Sequence, residues 1–413
     1  MTATKRRVAI TGLGVISPAG NTKEALFDNL LAGKSAIRRL DQSVADLLNT
    51  KIAGRIDFNS EDYFTKKIAR SLDRVSQFAL VAAADAVRDA GLNLNEEEKR
   101  RSGVYIGTGM GGAHTIEDTY MQVYRNQAKK VSPLTVVKTM NNAPASHLSM
   151  QYGFKGPCLT FSTACSSSAV SIGEAFRQIK DGYADVILAG GTESLLTFVI
   201  IMSWESIGTL ACEAEDPSAS CLPFSKNRTG FVLGEGAAML VLEAMDRAVA
   251  RGARIYGELA GYGSAADATH ITKPSVEGQA RAISLALEEA HMQPGDIDYI
   301  NAHGTATVLN DLTETQAIKE VFGQRAYDIP ISSTKSMHGH LLGAAGALEL
   351  VISILTMENQ AVPPTSTLVD PDPECDLDYV PVKGRRGQKI RAVMSNSFAF
   401  GGTNAVLIVR KYG

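Results

Sequence analysis

Cys165 has the sequence setting of a reactive thiol. It lies in the segment STACSSSA, after a short apolar run and at the start of a predicted helix. Unpaired backbone N–H groups and the positive end of a helix dipole favour the thiolate, the nucleophilic form of cysteine. A lone cysteine is more often a small buried hydrophobic residue. Assigning a nucleophile therefore depends on the residues that accompany Cys165.

Two of the seven histidines occupy matching positions near predicted element ends. His303, in NAHGTAT, follows a predicted strand, and His340, in MHGHLLGAAG, stands at a predicted helix start. Each alone is typical of a structural histidine. Together with a cysteine at a helix start, they favour one site of nucleophilic catalysis.

The glycine-rich segments indicate what this site contains. FAFGGTN is a predicted strand and turn whose backbone can approach a substrate and whose N–H groups can stabilise an oxyanion, although an ordinary turn reads the same way. TGLGVISPAGN lacks the full GxGxxG pattern and the acidic residue that follows it in dinucleotide sites. GxxxxGK[ST] is absent from the sequence.

The elements that must position these residues alternate between strand and helix, which predicts an α/β layered fold. We predict strands at 7–12, 103–107, 184–189 and 299–302, and helices at 71–90 and 167–179. The segment 113–153 is rich in polar and small residues, and we interpret it as a cap or a subunit contact.

Three sequence parallels recur in the same order. HGTAT follows its strand as GTGMGG does, SSTKSMHGH leads into a helix as FSTACSSS does, and DVILAGGTE matches VMSNSFAFGGTNAVLIV. The parallels predict an internal duplication, with halves at 1–250 and 251–413 and a site between them. The first half carries Cys165, and the second carries both histidines.

Composition excludes several classes of protein. The chain has 413 residues, 45% hydrophobic content and a net charge of -3, which fits a large globular core and does not indicate nucleic-acid binding. Five scattered cysteines without CxxC spacing predict neither a disulfide framework nor a zinc cluster. The short N-terminal apolar run is broken by glycines, so we expect a core strand, no membrane span and a cytoplasmic protein.

Four motifs together resemble condensing enzymes of the β-ketoacyl-acyl carrier protein synthase II type, which belong to the thiolase superfamily. They are TACSSSA, NAHGTAT, STKSMHGHLLGAAG and NSFAFGGTN, and PFSKNRTGFVLGEG resembles a further signature. The resemblance implies the thiolase fold, in which two βαβαβαββ halves form a five-layer α-β-α-β-α arrangement. It also implies decarboxylative condensation of malonyl-carrier protein with a cysteine-bound acyl chain.

The resemblance implies roles for individual residues. Cys165 is the nucleophile, His303 and His340 bind the malonyl thioester and promote decarboxylation, and Lys335 is the active-site lysine with Glu314 as acidic support. Phe400 is the gate, and its backbone N–H and that of Cys165 form the oxyanion hole. Further expected substrate-binding residues are Thr305, Thr307, Met110, Ile200, Met202, Trp204 and Phe398. A monovalent-cation site matches Asn301, Ala302, Glu349, Ser395 and Asn396.

The expected partners also follow from the resemblance. Substrates arrive on the phosphopantetheine of an acyl carrier protein, with no bound cofactor and no catalytic metal. Carrier docking is expected at Lys66, Lys67, Arg70 and Arg74. The chain is expected to form a homodimer, or a heterodimer with a ketosynthase-like chain-length-factor subunit.

Departures from the housekeeping pattern bear on the pathway. Ala399 stands where glycine is more common, Ile200 and Met202 replace small residues, and Trp204 replaces phenylalanine. SWESIGTLA and AADATHITKP are similar to ketosynthases of nodulation-factor and polyene systems. Fatty-acid synthesis and a specialised polyketide or polyene pathway both remain open. The alternative function is a non-catalytic or chain-length-determining partner subunit, against which the intact Cys165, His303 and His340 argue.

Overall fold

The computed structural model describes residues 5–40 and 48–413. The strands are β1 (Val8–Ile16), β2 (Ile37–Arg39), β3 (Ile52–Gly54), β4 (Ser102–Gly107), β5 (Cys158–Phe161), β6 (Val186–Glu193), β7 (Gly236–Ala244), β8 (Gly257–Ala266), β9 (Tyr299–Asn301), β10 (Ile331–Ser332), β11 (Ala361–Val362), β12 (Arg385–Arg386), β13 (Ala392–Phe398) and β14 (Thr403–Arg410).

The α-helices are α1 (Lys23–Leu31), α2 (Lys66–Ser71), α3 (Arg74–Asp89), α4 (Glu96–Arg100), α5 (Ala113–Tyr120), α6 (Thr135–Thr139), α7 (Ala143–Tyr152), α8 (Ser167–Lys180), α9 (Phe198–Ile207), α10 (Met245–Ala250), α11 (Val276–Ala290), α12 (Val308–Phe322), α13 (Lys335–His338) and α14 (Ala345–Asn359). Short 3₁₀ turns at Ala164–Ser166 and Leu342–Ala344 precede α8 and α14.

Ten strands form one sheet with a mirrored order. From one edge to the other the order is β5, β4, β6, β7, β1, β8, β14, β13, β9, β10. In the first half, β4 pairs parallel with β5 and β6, whereas β6–β7 and β7–β1 are antiparallel. In the second half, β9 pairs parallel with β10 and β13, and β13–β14 and β14–β8 are antiparallel. The same connectivity therefore occurs twice.

Both faces of the sheet are buried, because alternate side chains of each strand enter different cores. On β6, Ile187 and Ala189 join the central cluster that holds α8 and α14. Val186 and Leu188 join an outer cluster against α3. In the second half, β13 likewise divides its side chains between the central cluster and an outer one against α11 and α12. The two halves of the sheet meet only where Val8–Ile10 of β1 pairs with β8, so they form two β layers with α8 and α14 packed between them. With the outer helices, the arrangement is the five-layer α-β-α-β-α fold that we expected.

The predicted elements are present, with shifted boundaries. The predicted helix 71–90 is α3, which begins at Arg74 because the Asp73 side chain accepts the Val75 N–H and caps the helix, while Ser71 belongs to the separate helix α2. This break redirects the chain and leaves α2 on the surface, with no buried residue.

One helical stretch, Leu342–Asn359, is long and apolar enough to cross a membrane, with a mean hydropathy of 1.3. Its residues are 89% buried within the protein. It comprises the 3₁₀ turn and α14 of the central layer, and its apolar character is explained by packing between the two halves of the sheet.

Candidate active site

Cys165 lies at the turn that leads from β5 into α8. The preceding residue, Ala164, has a left-handed φ of 51°, and the 3₁₀ turn Ala164–Ser166 runs directly into the helix. Cys165 is buried, 7% exposed, in a cluster that includes Phe231 and Leu342. The sharp turn thus holds the thiol at the start of a central helix, facing an internal space.

The fold brings both histidines to this thiol. The Sγ of Cys165 and one ring nitrogen of each of His303 and His340 all lie within 4.8 Å of one another. His303 follows β9, and His340 precedes α14 as Cys165 precedes α8. The three residues lie in distant segments of the sequence and are brought together only by the fold. Cysteine spacing in the sequence therefore could not indicate this cluster.

Three of the four ring nitrogens of the two histidines have no partner among the described residues. Neither nitrogen of His340 has a hydrogen-bond partner in the described part of the chain, and the same holds for Nδ1 of His303. The rings lie edge to face, with centroids 5.3 Å apart and planes at 82°. Buried polar atoms without partners are costly and occur at functional sites. Two hydrogen-bonding groups therefore point into the site.

Two buried side chains hold the His303 backbone. Glu314 accepts the N–H groups of His303 and Gly304, each at 2.8 Å. The Lys335 ammonium donates to the carbonyl oxygen of His303 at 2.5 Å and forms an ion pair with Glu349. The position of His303 is thus fixed from both sides of its peptide.

Burial sets the protonation states. Burial and the nearby Lys335 charge hold the pKa of His303 and of His340 well below the usual value, so both rings are neutral. Burial raises the pKa of the Cys165 thiol to about 12, and the Lys335 charge and the Phe400 N–H act in the opposite direction. The thiolate expected from the helix start is therefore a thiol, because desolvation outweighs those interactions. Burial likewise raises the pKa of Glu314 to about 7.

Phe400 contributes a backbone donor beside the sulfur. Its N–H forms a hydrogen bond with Cys165. The donor lies in a tight turn, where Gly401 and Gly402 have φ values of 85° and 73°. The aromatic ring of Phe400 packs on Trp204, with centroids 5.9 Å apart. Phe400 thus supplies a backbone N–H at the sulfur and lines the same cavity as Cys165 and Trp204.

A cavity of about 300 Å³ connects this site with the surface. Of the predicted substrate-binding residues, Thr305, Thr307, Trp204 and Phe398 line it. Met110, Ile200 and Met202 are not part of this lining. Ile200 packs instead with the Cys165 cluster, while Met110 and Met202 are 44% and 40% exposed.

Sequence reasoning missed Phe231 and Glu193. Phe231 packs edge to face on His340 and on Trp204, each with centroids 5.3 Å apart. The sequence feature that could have identified Phe231 is the PFSKNRTGF signature, of which it is the last residue. Glu193 is fully buried and accepts the N–H groups of Gly109 and Gly343 at 2.6 and 3.0 Å. Only the GGTE segment at the end of a predicted strand pointed to it.

The predicted cation ligands include several unpaired oxygens. The buried Asn301 Oδ1, Glu349 Oε2, Ser395 Oγ and Asn396 Oδ1 have no hydrogen-bond partner among residues 5–40 and 48–413. Ala302, which follows Asn301 in the sequence, is also fully buried. Carboxylate, amide and hydroxyl oxygens are the ligands that hard cations prefer. These oxygens are therefore suitable ligands for a cation.

The predicted docking residues divide into two groups. Lys66 and Lys67 lie on the exposed helix α2, and Arg70 lies in its last turn. Arg74 is different, because its guanidinium forms a bidentate ion pair with the buried Glu235 at 2.7 and 3.0 Å and packs on Phe78. The inclusion of Arg74 in an exposed patch is corrected accordingly, since Arg74 anchors the start of α3.

Comparisons with known proteins agree with this geometry. The model of the family "Beta-ketoacyl synthase, N-terminal domain" matches residues 5–248, and that of "Beta-ketoacyl synthase, C-terminal domain" matches residues 256–368. The chain is 43% identical over 410 residues to a 3-oxoacyl-[acyl-carrier-protein] synthase 2 of Staphylococcus aureus, covering 98% of this chain and 99% of that protein.

Two solved structures are similar over nearly the whole chain. A ketosynthase bound to a hexaketide, in complex with its type II PKS acyl-carrier protein, has a TM-score of 0.91 and 35% identity, covering 99% of this chain and 100% of the other. The ishigamide ketosynthase/chain length factor has a TM-score of 0.92 and 34% identity, with the same coverage.

Proposed function

This chain belongs to the beta-ketoacyl synthase family, and we propose that Cys165, His303 and His340 carry out its reaction. The enzyme is a β-ketoacyl-acyl carrier protein synthase, an acyltransferase that condenses malonyl-carrier protein with a cysteine-bound acyl chain. The observation that carries the proposal is the approach of the thiol and both imidazoles to within 4.8 Å.

Acyl transfer is the first step. The sulfur of Cys165 attacks the carbonyl carbon of the acyl thioester, and the N–H groups of Cys165 and Phe400 stabilise the oxyanion. The carbon–sulfur bond to the carrier breaks, and the thiol proton leaves with the departing pantetheine sulfur. Because the resting group is a thiol, a neutral imidazole within the cluster is the base that receives this proton on the way.

Condensation is the second step. The bond from the malonyl carboxylate to Cα breaks, CO2 leaves, and the electron pair becomes an enolate. Neutral imidazole N–H groups of His303 and His340 donate to the enolate oxygen. The enolate carbon attacks the acyl carbon on Cys165, the carbon–sulfur bond breaks, and the sulfur leaves as a thiolate that takes up a proton from solvent when the product departs. The buried site excludes water, which would otherwise protonate the carbanion.

The direct experiment is reconstitution with purified acyl- and malonyl-carrier proteins. We expect equal amounts of CO2 and β-ketoacyl product, both dependent on the acyl primer. CO2 without condensed product, even with a primed enzyme, would instead fit the alternative of a partner subunit. A panel of acyl primers in the same assay separates a fatty-acid role from a specialised polyketide role.

Carrier docking is proposed on helix α2 and at the mouth of the cavity. Lys66, Lys67 and Arg70 supply exposed positive charge that suits an acidic carrier protein. Around the opening, Ile271 and Leu309 line the cavity while being 72% and 52% exposed. Exposed apolar residues at an opening mark a contact surface. Thr305 and Thr307 line the route that the phosphopantetheine arm would take.

A monovalent cation is proposed for the buried oxygens of Asn301, Glu349, Ser395 and Asn396. A bound cation stabilises the folded state by mass action. We expect KCl or NaCl to raise the melting temperature more than choline chloride at equal ionic strength. Ser395→Ala should reduce that difference, whereas Ser397→Ala, on the same strand, should retain it. Equal effects of all three salts would contradict the site.

The subunit contact is proposed on the cap and the neighbouring sheet edge. The cap, residues 113–153, exposes large apolar side chains, with Tyr124, Val136 and Met150 being 73%, 67% and 69% exposed. Strand β5 lies at the sheet edge with Leu159 47% exposed. Such a surface suits a homodimer or a heterodimer with a related chain. Val136→Asp should shift the sedimentation of the assembled enzyme towards that of a monomer.

We also propose that the halves 1–250 and 251–413 are the units of the duplication.

A cytoplasmic location is proposed from the resemblance to enzymes of fatty-acid synthesis. Fractionation of cells that express a tagged chain tests the location.

A further inference from the structure

The signature PFSKNRTGF contributes a buried arginine that the reaction itself does not use. The Arg228 side chain is 2% exposed, yet it carries a charge. A buried charge is tolerated only when it is paired and hydrogen-bonded. The contacts of Arg228 therefore show which segments its charge holds together.

One edge of the Arg228 guanidinium holds the segment that lines the cavity. Its Nε donates to the carbonyl oxygen of Thr307 at 3.3 Å, and its Nη2 donates to that of Val308 at 3.1 Å. These two carbonyls follow each other along the chain, and a planar guanidinium fork fits such a pair. Thr305, Thr307 and Val308 all line the cavity that leads to Cys165.

The other edge of the guanidinium is tied to a separate part of the fold. Its Nη1 donates to the Asp372 carboxylate at 2.6 Å and to the carbonyl oxygen of Ser225 at 2.7 Å. The Asp372 N–H in turn donates to the carbonyl oxygen of Phe224 at 2.9 Å. Arg228 therefore links the cavity wall to the segments that contain Ser225 and Asp372.

The held segment is under conformational constraint. Ala306 has a left-handed φ of 66°, and its N–H donates to Asp311 at 3.2 Å. The hydroxyl groups of Thr305 and Thr307 lie 2.9 Å apart, so they form one polar feature on the cavity wall. A strained backbone persists where its surroundings over-determine it. The fork of Arg228 is one of the interactions that do so.

We propose that Arg228 is a positioning residue for thioester binding. Its guanidinium fixes residues 305–308 so that the two threonine hydroxyls meet the polar amides of a pantetheine arm. The proposal rests on the proposed function, because it assigns this arm to the cavity. Arg228 touches neither the substrate nor the reacting atoms, and it acts through the carbonyls of Thr307 and Val308.

The test compares Arg228→Ala and Arg228→Lys with Arg247→Ala. Arg247 also has a largely buried side chain, 16% exposed and paired with Glu243, but it does not line the cavity. We expect the KM for carrier-borne acyl and malonyl thioesters to rise about tenfold in both Arg228 variants, which corresponds to about 1.4 kcal/mol. The rate of Cys165 alkylation by iodoacetamide should stay unchanged, because this small reagent makes no use of the threonines.

Two further readouts separate positioning from a general loss of structure. Millimolar guanidinium should partly restore the KM of Arg228→Ala, by refilling the vacated site, and should not affect Arg228→Lys. Amide hydrogen exchange of residues 304–311 should accelerate in both Arg228 variants and not in Arg247→Ala. Exchange does not depend on activity, so it tests the clamp even if the enzyme fails to condense these substrates.

The proposal is overturned if exchange of residues 304–311 is unchanged in Arg228→Lys, or if the KM of folded variants stays within twofold of the original. It is also overturned if alkylation, KM and melting temperature change in proportion, since Arg228 would then only support the fold. Should Arg228→Ala not fold, Arg228→Lys carries both measurements.

Discussion

The imidazole rings of His303 and His340 meet edge to face across the site, with centroids 5.3 Å apart. They come from two separate regions of the second half, one after β9 and one before α14. Since both rings are neutral, each can present an N–H to the same oxygen atom. The pair is therefore arranged to donate two hydrogen bonds to the enolate oxygen of the proposed reaction.

Replacing either histidine with alanine should suppress decarboxylation more than acylation of Cys165. Removal of one donor to a developing oxyanion lowers the rate about 100-fold or more. Release of CO2 from labelled malonyl-carrier protein measures the first activity, and the mass of the acyl-enzyme measures the second. Normal decarboxylation with failed acylation in both variants would reverse the assigned roles. His270→Ala, at an exposed histidine, is the control.

The reactivity of Cys165 should rise with pH without levelling off near neutrality. A pKa raised to about 12 leaves the group as a thiol below that pH, so the thiolate fraction grows about tenfold per pH unit. Alkylation by iodoacetamide between pH 6 and 9, followed at the Cys165 peptide, checks this. A plateau with a midpoint below pH 7 would mean that the helix start and Lys335 outweigh desolvation.

Phe400 should control access to the thiol. Because its ring packs on Trp204 at 5.9 Å, movement of the gate changes the surroundings of the only tryptophan in the chain. Acylation of Cys165 should therefore alter tryptophan fluorescence, and Phe400→Ala should remove most of this change and alter the rate of loading. Trp204→Phe is the control for the signal. A lowered melting temperature with unchanged loading per folded molecule would make Phe400 a core residue.

Reversing the charges of Lys67 and Arg70 to glutamate should weaken carrier-protein binding strongly at low salt and less at high salt. Exposed charges are screened over roughly 10 Å at 0.1 M. Titration calorimetry at two salt concentrations measures the effect. Arg88→Glu with Arg100→Glu, at exposed positions on α3 and α4, makes the same change in net charge and should leave binding unaltered. Acylation by a small thioester should barely change, and an equal loss with both substrates would place docking elsewhere.

The sequence was sufficient for the layered fold and for the three residues at the site. The uninterrupted apolar run at the start of strands such as β6 indicates burial on both faces, and the motifs around Cys165, His303 and His340 are local. Arg74 was misread, because its partner Glu235 lies 161 positions away and local spacing resembles a surface helix. The helix start of Cys165 favours the thiolate, whereas burial raises the pKa of the thiol. Helix position is visible in a sequence, whereas complete burial by distant segments is not.

The central claim is that Cys165 carries the acyl chain that is condensed. The most direct measurement is intact and peptide mass spectrometry of the enzyme after incubation with an acyl-carrier thioester, followed by addition of malonyl-carrier protein. We predict one acyl group on the Cys165 peptide, its loss on addition of the malonyl substrate, and a matching β-ketoacyl product. Cys165→Ala should show neither adduct nor product, while Cys221→Ala, at another buried cysteine, should show both. Condensation by Cys165→Ala at a near-normal rate, or an adduct elsewhere that is converted to product, would contradict the account.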